Sequence, residues 1–295
     1  MTSDTTKNLS LGWILLLILT LIWGSSFILI KRGLDVFDAG EVGALRMFAA
    51  SIVLAPLAVK HFKSFSQRQY FYLFIVGFVG SFLPSFLFAK AETSLSSAMA
   101  GVLNALTPMF VVIVGSIFFT QRIGGRTITG LLIGFGGTAI LMFAGTDWEL
   151  SKLNIFGFYI VVATIFYGTN VNIIKFKLAG IRAIPLTSMA FTLILPLAAY
   201  YLFFVSDFVE KVITVPGAGM ALFYVVILGV FGTAIAMVLF NKLIQFVSPL
   251  FASSVTYLIP IVAVAWGLFD NEVLLTQHYI GMMIILAGVY ITNRK

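Results

Sequence analysis

Long apolar stretches separated by short polar connections run along this chain of 295 residues. A helix needs about 20 apolar residues to cross the hydrocarbon core of a bilayer. Stretches of about that length predict helices at 11–30, 42–60, 70–90, 96–119, 127–145, 154–175, 184–205, 219–242, 250–269 and 276–292. The connections are too short to hold a soluble domain. The pattern therefore predicts an all-α integral membrane protein with ten transmembrane helices.

The second half of the chain repeats the first. Residues that recur with an offset of 152 positions are Gly77, Gly80, Phe88, Lys90, Ala100, Leu106 and Pro108, which return as Gly229, Gly232, Phe240, Lys242, Ala252, Leu258 and Pro260. Such a repeat predicts two five-helix units, residues 11–145 and 153–293. Because five is odd, the second unit must cross the membrane upside down. An inverted repeat of this kind is typical of transporters that bind their substrate between the halves.

Composition and charge agree with a membrane protein. Hydrophobic residues make up 60% of the chain and charged residues 10%, against about 25% charged residues in soluble domains. The net charge of +7 comes from basic residues in short connections, so it favours membrane orientation over nucleic acid binding. The absence of cysteine excludes thiolate metal sites, and the two histidines, His61 and His278, both lie near predicted helix ends, which argues against a histidine-based metal centre.

The positions of lysine and arginine set the predicted orientation. With both termini in the cytoplasm, the inner basic residues are Lys7, Lys60, Lys63, Arg68, Arg122, Arg126, Lys175, Lys177, Arg182, Lys242, Arg294 and Lys295. The outer ones are Lys31, Arg32, Lys90, Lys152 and Lys211, and Arg46 lies within the second helix. This excess on the inner side favours cytoplasmic termini.

Several short motifs carry a resemblance to a known family. They are Trp23-Gly-Ser-Ser-Phe27, Ala44-Leu-Arg-Met-Phe48, Asn104-Ala-Leu-Thr-Pro108, Thr256-Tyr-Leu-Ile-Pro260 and Asn271-Glu272. In this order, over residues 11–293, they resemble the EamA-type ten-helix permeases of the drug/metabolite transporter superfamily. The family often has a glutamate after the fourth helix of each repeat. Glu272 fills that position in the second half and Gln121 in the first, which favours a loop-ordering role for Glu272.

The resemblance implies a secondary transporter, with no enzymatic activity and no cofactor, in the bacterial inner membrane. It implies export of small metabolites, amino acids or related solutes, by alternating access. Its partners are then a small-molecule solute and the lipid bilayer, without nucleic acid, and the chain is a monomer or weak homodimer. An uptake permease, a lipid-modifying membrane enzyme and a membrane scaffold are the alternatives. The enzyme would need a catalytic cluster at one membrane face, and none is visible.

Aromatic and polar residues on the first and sixth helices are candidates for a binding pocket. Trp23 and Ser26, like Tyr167 and Asn170, are three residues apart and share a helix face. A pocket requires apolar walls with a few polar groups, and we place these four residues there. The alternative is tight helix packing through small residues, which we favour for Gly24 and Ser25.

Two prolines lie within the predicted fourth and ninth helices. Pro108 and Pro260 each free the carbonyl four residues earlier, which belongs to Asn104 and Thr256. We interpret the prolines as helix-kink or gating positions, and Asn104, Thr256 and the adjacent Tyr257 as substrate-binding residues. Kinks that only improve packing are the alternative.

Charged residues within the predicted helices are few. Arg46 lies about five residues into the second helix, where it could bind an anionic group of the substrate, pair with Glu41 or extend towards the headgroups. No Asp or Glu falls near the middle of a helix, and Glu92, at an outer helix end, comes nearest. Proton relays in membranes commonly use such a carboxylate, so the sequence favours facilitated flux or exchange.

Overall fold

A computed structural model describes residues 3–119, 124–144, 154–246 and 255–293, and this part of the chain is mainly helical. The α-helices are α1 Ser3–Gly24, α2 Ser26–Leu34, α3 Ala39–Val59, α4 Gln67–Gly77, α5 Leu83–Glu92, α6 Ser97–Asn104, α7 Thr107–Phe118, α8 Gly125–Met142, α9 Phe156–Lys177, α10 Ala183–Tyr200, α11 Phe208–Thr214, α12 Ala218–Gly229, α13 Ala236–Phe246, α14 Val255–Phe269 and α15 Thr276–Asn293. π-Helical segments at Phe78–Phe82, Tyr201–Val205 and Val230–Ile235 join or extend them.

These elements combine into helices that can span a membrane. Within the described ranges, eight are long and apolar enough: Gly12–Leu34, Ala39–Val59, Gln67–Glu92, Ser97–Phe118, Gly125–Met142, Phe156–Lys177, Ala183–Val205 and Ala218–Leu243. Two shorter apolar helices, Val255–Phe269 and Thr276–Ile291, follow at the predicted ninth and tenth positions. The chain is therefore a multi-pass membrane protein. Residues 250–254, where the predicted ninth helix begins, and Gln121 lie outside the described residues.

Large apolar side chains cover the outside of the bundle. Phe204, Phe269 and Val273 are 80–82% exposed. In water such a surface would drive aggregation, whereas lipid chains solvate it. The buried core also holds apolar residues from both halves of the chain, among them Leu103 and Ile259.

Glycines bring α8 and α15 into backbone contact. A Cβ on Gly137 would lie 2.7 Å from the amide nitrogen of Ile285, and a Cβ on Gly288 would lie 2.4 Å from that of Gly134. Neither position leaves room for a methyl group, so glycine is required there. Close approach through small residues is a general means of packing helices in lipid, where no hydrophobic force draws them together.

Two spans are interrupted near their centres. The first is interrupted at Ser25, between α1 and α2, and the fourth is interrupted at Ala105 and Leu106, between α6 and α7. The π-helical segments Phe78–Phe82 and Val230–Ile235 lie inside the third and eighth spans. π-Helical turns inside α-helices occur frequently at functional sites. All four irregularities surround one cavity.

Candidate functional site

A cavity of about 120 Å³ lies between the spans of the two halves. One water molecule needs only about 10–15 Å³ on the same measure, so the space admits several waters or a small organic solute. Of the eight predicted substrate-binding residues, seven line it: Trp23, Ser26, Arg46, Asn104, Tyr167, Asn170 and Thr256. They come from helices of both halves that are far apart in the sequence.

Aromatic rings form much of the cavity wall. Trp23 meets Phe240 edge to face at 5.1 Å between centroids, and Tyr167 stacks on Phe88 at 5.9 Å. The indole nitrogen of Trp23 donates a hydrogen bond to the carbonyl of Gly232 at 3.1 Å, which fixes the ring. Each pair joins one ring from the first half of the chain to one from the second. The wall therefore depends on contact between the halves.

Arg46 brings a positive charge to the cavity. Its Nε donates to the hydroxyl of Thr233 at 2.7 Å, across 187 positions of sequence. Among the described residues no carboxylate forms an ion pair with Arg46, although Glu92 interacts with it electrostatically. A guanidinium has five N–H donors in a planar fork that matches a carboxylate. The site can therefore accept an anionic group that the protein does not itself provide.

Two asparagines supply neutral polar groups. Asn170 is 5% exposed, and its Oδ1 has no hydrogen-bond partner in the described part of the chain. A Cβ on Gly80 would lie 2.3 Å from the Cγ of Asn170, so the glycine makes room for this amide. A buried acceptor without a partner costs about 1–3 kcal/mol, which a bound donor can recover.

Asn104 lies at the break between α6 and α7. Its carbonyl, which Pro108 frees, accepts a hydrogen bond from the hydroxyl of Thr107 at 2.8 Å, and its Oδ1 accepts from the same hydroxyl at 3.3 Å. The backbone group that we expected to face the substrate is thus taken by Thr107. The side chain of Asn104 nevertheless lines the cavity.

The two prolines occupy different local structures. Pro108 is in the first turn of α7, where its missing amide leaves no hydrogen bond unmade. Pro260 lies inside the continuous helix α14. Neither is among the residues that line the cavity. A helix break therefore accompanies Pro108, whereas α14 is continuous at Pro260, and the kink or gating role of both stays a prediction.

Tyr257 lies away from the cavity. Its hydroxyl donates to the carbonyl of Val289 on α15 at 3.3 Å. Tyr257 was predicted to bind substrate together with the adjacent Thr256, whereas the lining includes Thr233 and Ser81, two residues that were not among the predicted ones. These two residues also occupy equivalent repeat positions, and this was the signal that could have found them.

An ion-pair network closes one end of the bundle. Lys31 on α2 contacts Asp270 at 2.6 Å and Glu272 at 2.9 Å, and Arg32 also contacts Asp270. Glu272 accepts hydrogen bonds from the backbone amides of Ser97 at 2.9 Å and Ala98 at 3.1 Å. The carboxylate thus ties the corner between α14 and α15 to α2 and to the start of α6.

The network changes the acidity of its carboxyl groups. A hydrogen bond from Lys31 lowers the pKa of Asp270 below its usual value. Burial opposes ionisation of Glu272, yet the hydrogen bonds from Lys31, Ser97 and Ala98 outweigh it and lower the pKa of Glu272. Both groups are therefore charged at neutral pH, and the network is intact there.

Comparison with known proteins gives a consistent result. The model of the EamA-like transporter family matches residues 10–143 and 155–294. An uncharacterized transporter of Archaeoglobus fulgidus is 26% identical over 96% of this chain and 99% of its own. The uncharacterized inner membrane transporter YedA of Escherichia coli is 26% identical over 94% of this chain and 89% of its own.

Two further similarities concern a named activity and the fold. A protein of Streptantibioticus cattleyicolor, described as a "Probable terminal-alkyne amino-acid exporter", is 25% identical over 95% of this chain and 92% of its own. A solved crystal structure covers 96% of both chains with a TM-score of 0.63 at 15% identity. At that identity the structure bears on the fold alone.

Proposed function

The chain belongs to the EamA-like transporter family, and from that premise we propose that it exports small metabolites, amino acids or related solutes, through the cavity between its halves. The observation that carries the proposal is the cavity itself. It combines aromatic walls with a cation that has no ion pair, and an amide oxygen that has no partner, among the residues that the structure describes. That combination suits a small solute with a carboxylate and a polar or apolar side group.

We assign the predicted residues the following roles. Arg46 binds the anionic group of the solute, and Asn170 accepts a hydrogen bond from it. Asn104, Ser26 and Thr256 contribute further polar contacts, while Trp23 and Tyr167 form apolar walls. A bond from Arg46 to an anion contributes about 1.5–3 kcal/mol, and one from a neutral amide about 0.5–1.5 kcal/mol. Arg46 therefore dominates the affinity.

An inverted repeat of two five-helix units, residues 11–145 and 153–293, is the architecture that we propose for alternating access. Matched contacts support it. A Cβ on Gly77 would meet the carbonyl of Ala190 at 2.4 Å, and one on Gly229 would meet that of Arg46 at 2.8 Å. Gly77 and Gly229 are 152 positions apart, the offset of the sequence repeat. Arg46 and Ala190 are 144 positions apart, the same offset that separates Lys31 from Lys175. Equivalent packing in both halves gives two similar conformations, one open to each side.

The remaining parts of the proposal concern placement. We infer that the protein lies in a bacterial inner membrane with both termini in the cytoplasm, acts as a monomer, and uses the neighbourhoods of Pro108 and Pro260 for gating. The excess of basic residues in the predicted inner connections supports the orientation. The description of the Streptantibioticus relative supports amino acids as the solute class and export as the direction.

The test compares metabolites released by cells that express the parent chain, Asn170→Ala or Asn104→Ala at equal membrane abundance. We expect release of one solute class that falls about two- to tenfold in each variant, because one hydrogen bond is lost. Thr169→Ala is the matched control, since its hydroxyl bonds to Ile165 within the same helix. Solute accumulation in place of release would replace export with uptake. Unchanged flux in both variants would show that the solute does not bind at these residues of the cavity.

A further inference from the structure

Glu92 is a buried carboxyl group that the proposed transport site does not use. It is the last residue of α5 and is 6% exposed. Neither of its oxygens has a hydrogen-bond partner among the described residues. With neither oxygen hydrogen-bonded, an ionised carboxylate there would have only the longer-range attraction of Arg46 and Lys31 to offset its burial, at a cost of several kcal/mol. In this conformation the group therefore carries a proton.

One of the cations near Glu92, Lys31, lines the same pocket as its carboxyl group. A pocket of about 290 Å³ is lined by Glu92 together with Lys31, Asp35, Asp38 and Thr93. The ammonium group of Lys31 is held by Asp270 and Glu272, on the side of the α14–α15 corner. Glu92 and Lys31 thus face one pocket without bonding to each other. Lys31 thus shares a pocket with a third carboxyl group, to which it is not bonded.

We propose that Glu92 is a proton-binding site linked to the end of the bundle that Lys31 closes. When that end opens, Lys31 leaves Asp270 and Glu272 and pairs with Glu92. The O–H bond of the Glu92 carboxyl breaks, its proton passes to water in the opened pocket, and the carboxylate and ammonium form an ion pair. Closure reverses each step. Facilitated flux thereby becomes sensitive to the proton concentration at one face of the membrane.

The other charges near Glu92 fit this exchange. Arg46 on α3 and Glu272 beyond α14 act on Glu92 electrostatically, with opposite signs. Asp35 and Asp38, which precede α3, line the same pocket, and on α9 the nearest titratable group at the cavity is Tyr167. Asp35 is 59% exposed and contacts Arg32, and Asp38 contacts Lys211, so both are compensated. Glu92 is the carboxyl group in this set that lacks a bond.

The sign of the effect follows from proton counting. The closed state binds one proton more than the open state, so a lower pH favours closure. One proton changes the ratio of closed to open molecules by up to about tenfold per pH unit. The pKa of Glu272 is lowered, so its bonds to Lys31 stay intact above about pH 5 and do not confuse the measurement.

The absence of cysteine from the chain makes a distance measurement direct. Spin labels on Ile213→Cys and Val273→Cys, two exposed positions outside the Glu92 pocket, report opening by pulsed electron paramagnetic resonance. The inference rests on the proposed function only in calling this motion a transport step. Because the assay needs no solute, its failure is distinct from a failure of the release experiment.

We expect a short label distance at about pH 5 and a growing longer distance towards about pH 9, at up to about tenfold per pH unit. Glu92→Gln keeps the shape but cannot titrate, so the short distance persists at every pH. Glu92→Leu gives the same result, because the carboxyl group makes no hydrogen bond. Glu210→Gln, at an exposed glutamate, behaves as the parent. A parent without pH dependence, or a dependence that survives both Glu92 variants, overturns the proposal.

Discussion

The substitution Glu272→Gln tests how strongly the Lys31 network holds the bundle together. The side chain of Glu272 is 3% exposed, and three hydrogen bonds end on its two oxygens. Glutamine has almost the same shape but one acceptor oxygen, and its amide group donates. Its single oxygen can therefore accept either from both Lys31 and Ser97 or from Ala98, so at least one of the three hydrogen bonds is lost. The substitution also removes the negative charge opposite Lys31.

The expected loss follows from these contacts. Breaking a buried ion pair by removing one partner costs about 3–5 kcal/mol, but Lys31 retains Asp270 at 2.6 Å, which reduces the loss. The loss of one charge-assisted hydrogen bond alone costs about 1.5–3 kcal/mol. We therefore expect the free energy of unfolding to fall by about 3 kcal/mol in total. For a chain of this size that lowers the Tm by about 5–10 °C.

Thermal unfolding of the purified protein in detergent measures this loss. Glu210→Gln is the control, since Glu210 is exposed and an exposed charge contributes about 0–1 kcal/mol. The Tm of the control should stay within about 2 °C of the parent. If Glu272→Gln also stays within that range, the network contributes no more than a surface ion pair, and the reasoning is refuted.

Three further predictions concern packing, acidity and orientation. Gly137→Ala should destabilise the protein by about 1–3 kcal/mol in the same unfolding assay. Gly136→Ala, where a Cβ meets nothing within 4 Å, should not, and equal effects of the two substitutions would contradict the close contact of α8 and α15. The pKa of Asp270 is lowered in the folded protein, so the stabilisation from its carboxylate is complete above the usual pKa of 3.8 and is lost as the pH falls through the lower folded value. Asp270→Asn should therefore reduce the loss of stability at acidic pH, and an unchanged loss would assign it to other groups. A single cysteine in the predicted 147–152 connection, which lies outside the described residues, should react in intact cells with an impermeant maleimide, and one in 122–126 should not. The reverse result would invert the orientation.

The sequence predicted the spans well because hydrophobicity acts over their whole length. Seven of eight binding candidates line the cavity because aromatic and polar residues within apolar helices have few other uses. Tyr257 differs because adjacent residues on a helix point about 100° apart. When Thr256 faces the cavity, its neighbour must face elsewhere, and Tyr257 meets the carbonyl of Val289.

Other features depend on contacts that spacing along the chain cannot reveal. The bond between Arg46 and Thr233 joins residues 187 positions apart. The hydroxyl of Thr107 satisfies the carbonyl of Asn104, a local competition that the position of Pro108 does not show. The burial of Glu92 follows from how α2, α3 and α5 meet. A helix-end glutamate otherwise looks like a solvated residue.

The glycine contact between α8 and α15 has a mechanical consequence. Backbone meets backbone at Gly137 and Gly288 without a side chain between them, so the two helices have no slack in which to slide or tilt. If the chain works by the proposed alternating access, we expect this seam to move as one rigid unit. Distances across it should then stay constant while distances at the Lys31 end change, and a methyl group at Gly137 or Gly288 should alter that motion without contacting the cavity.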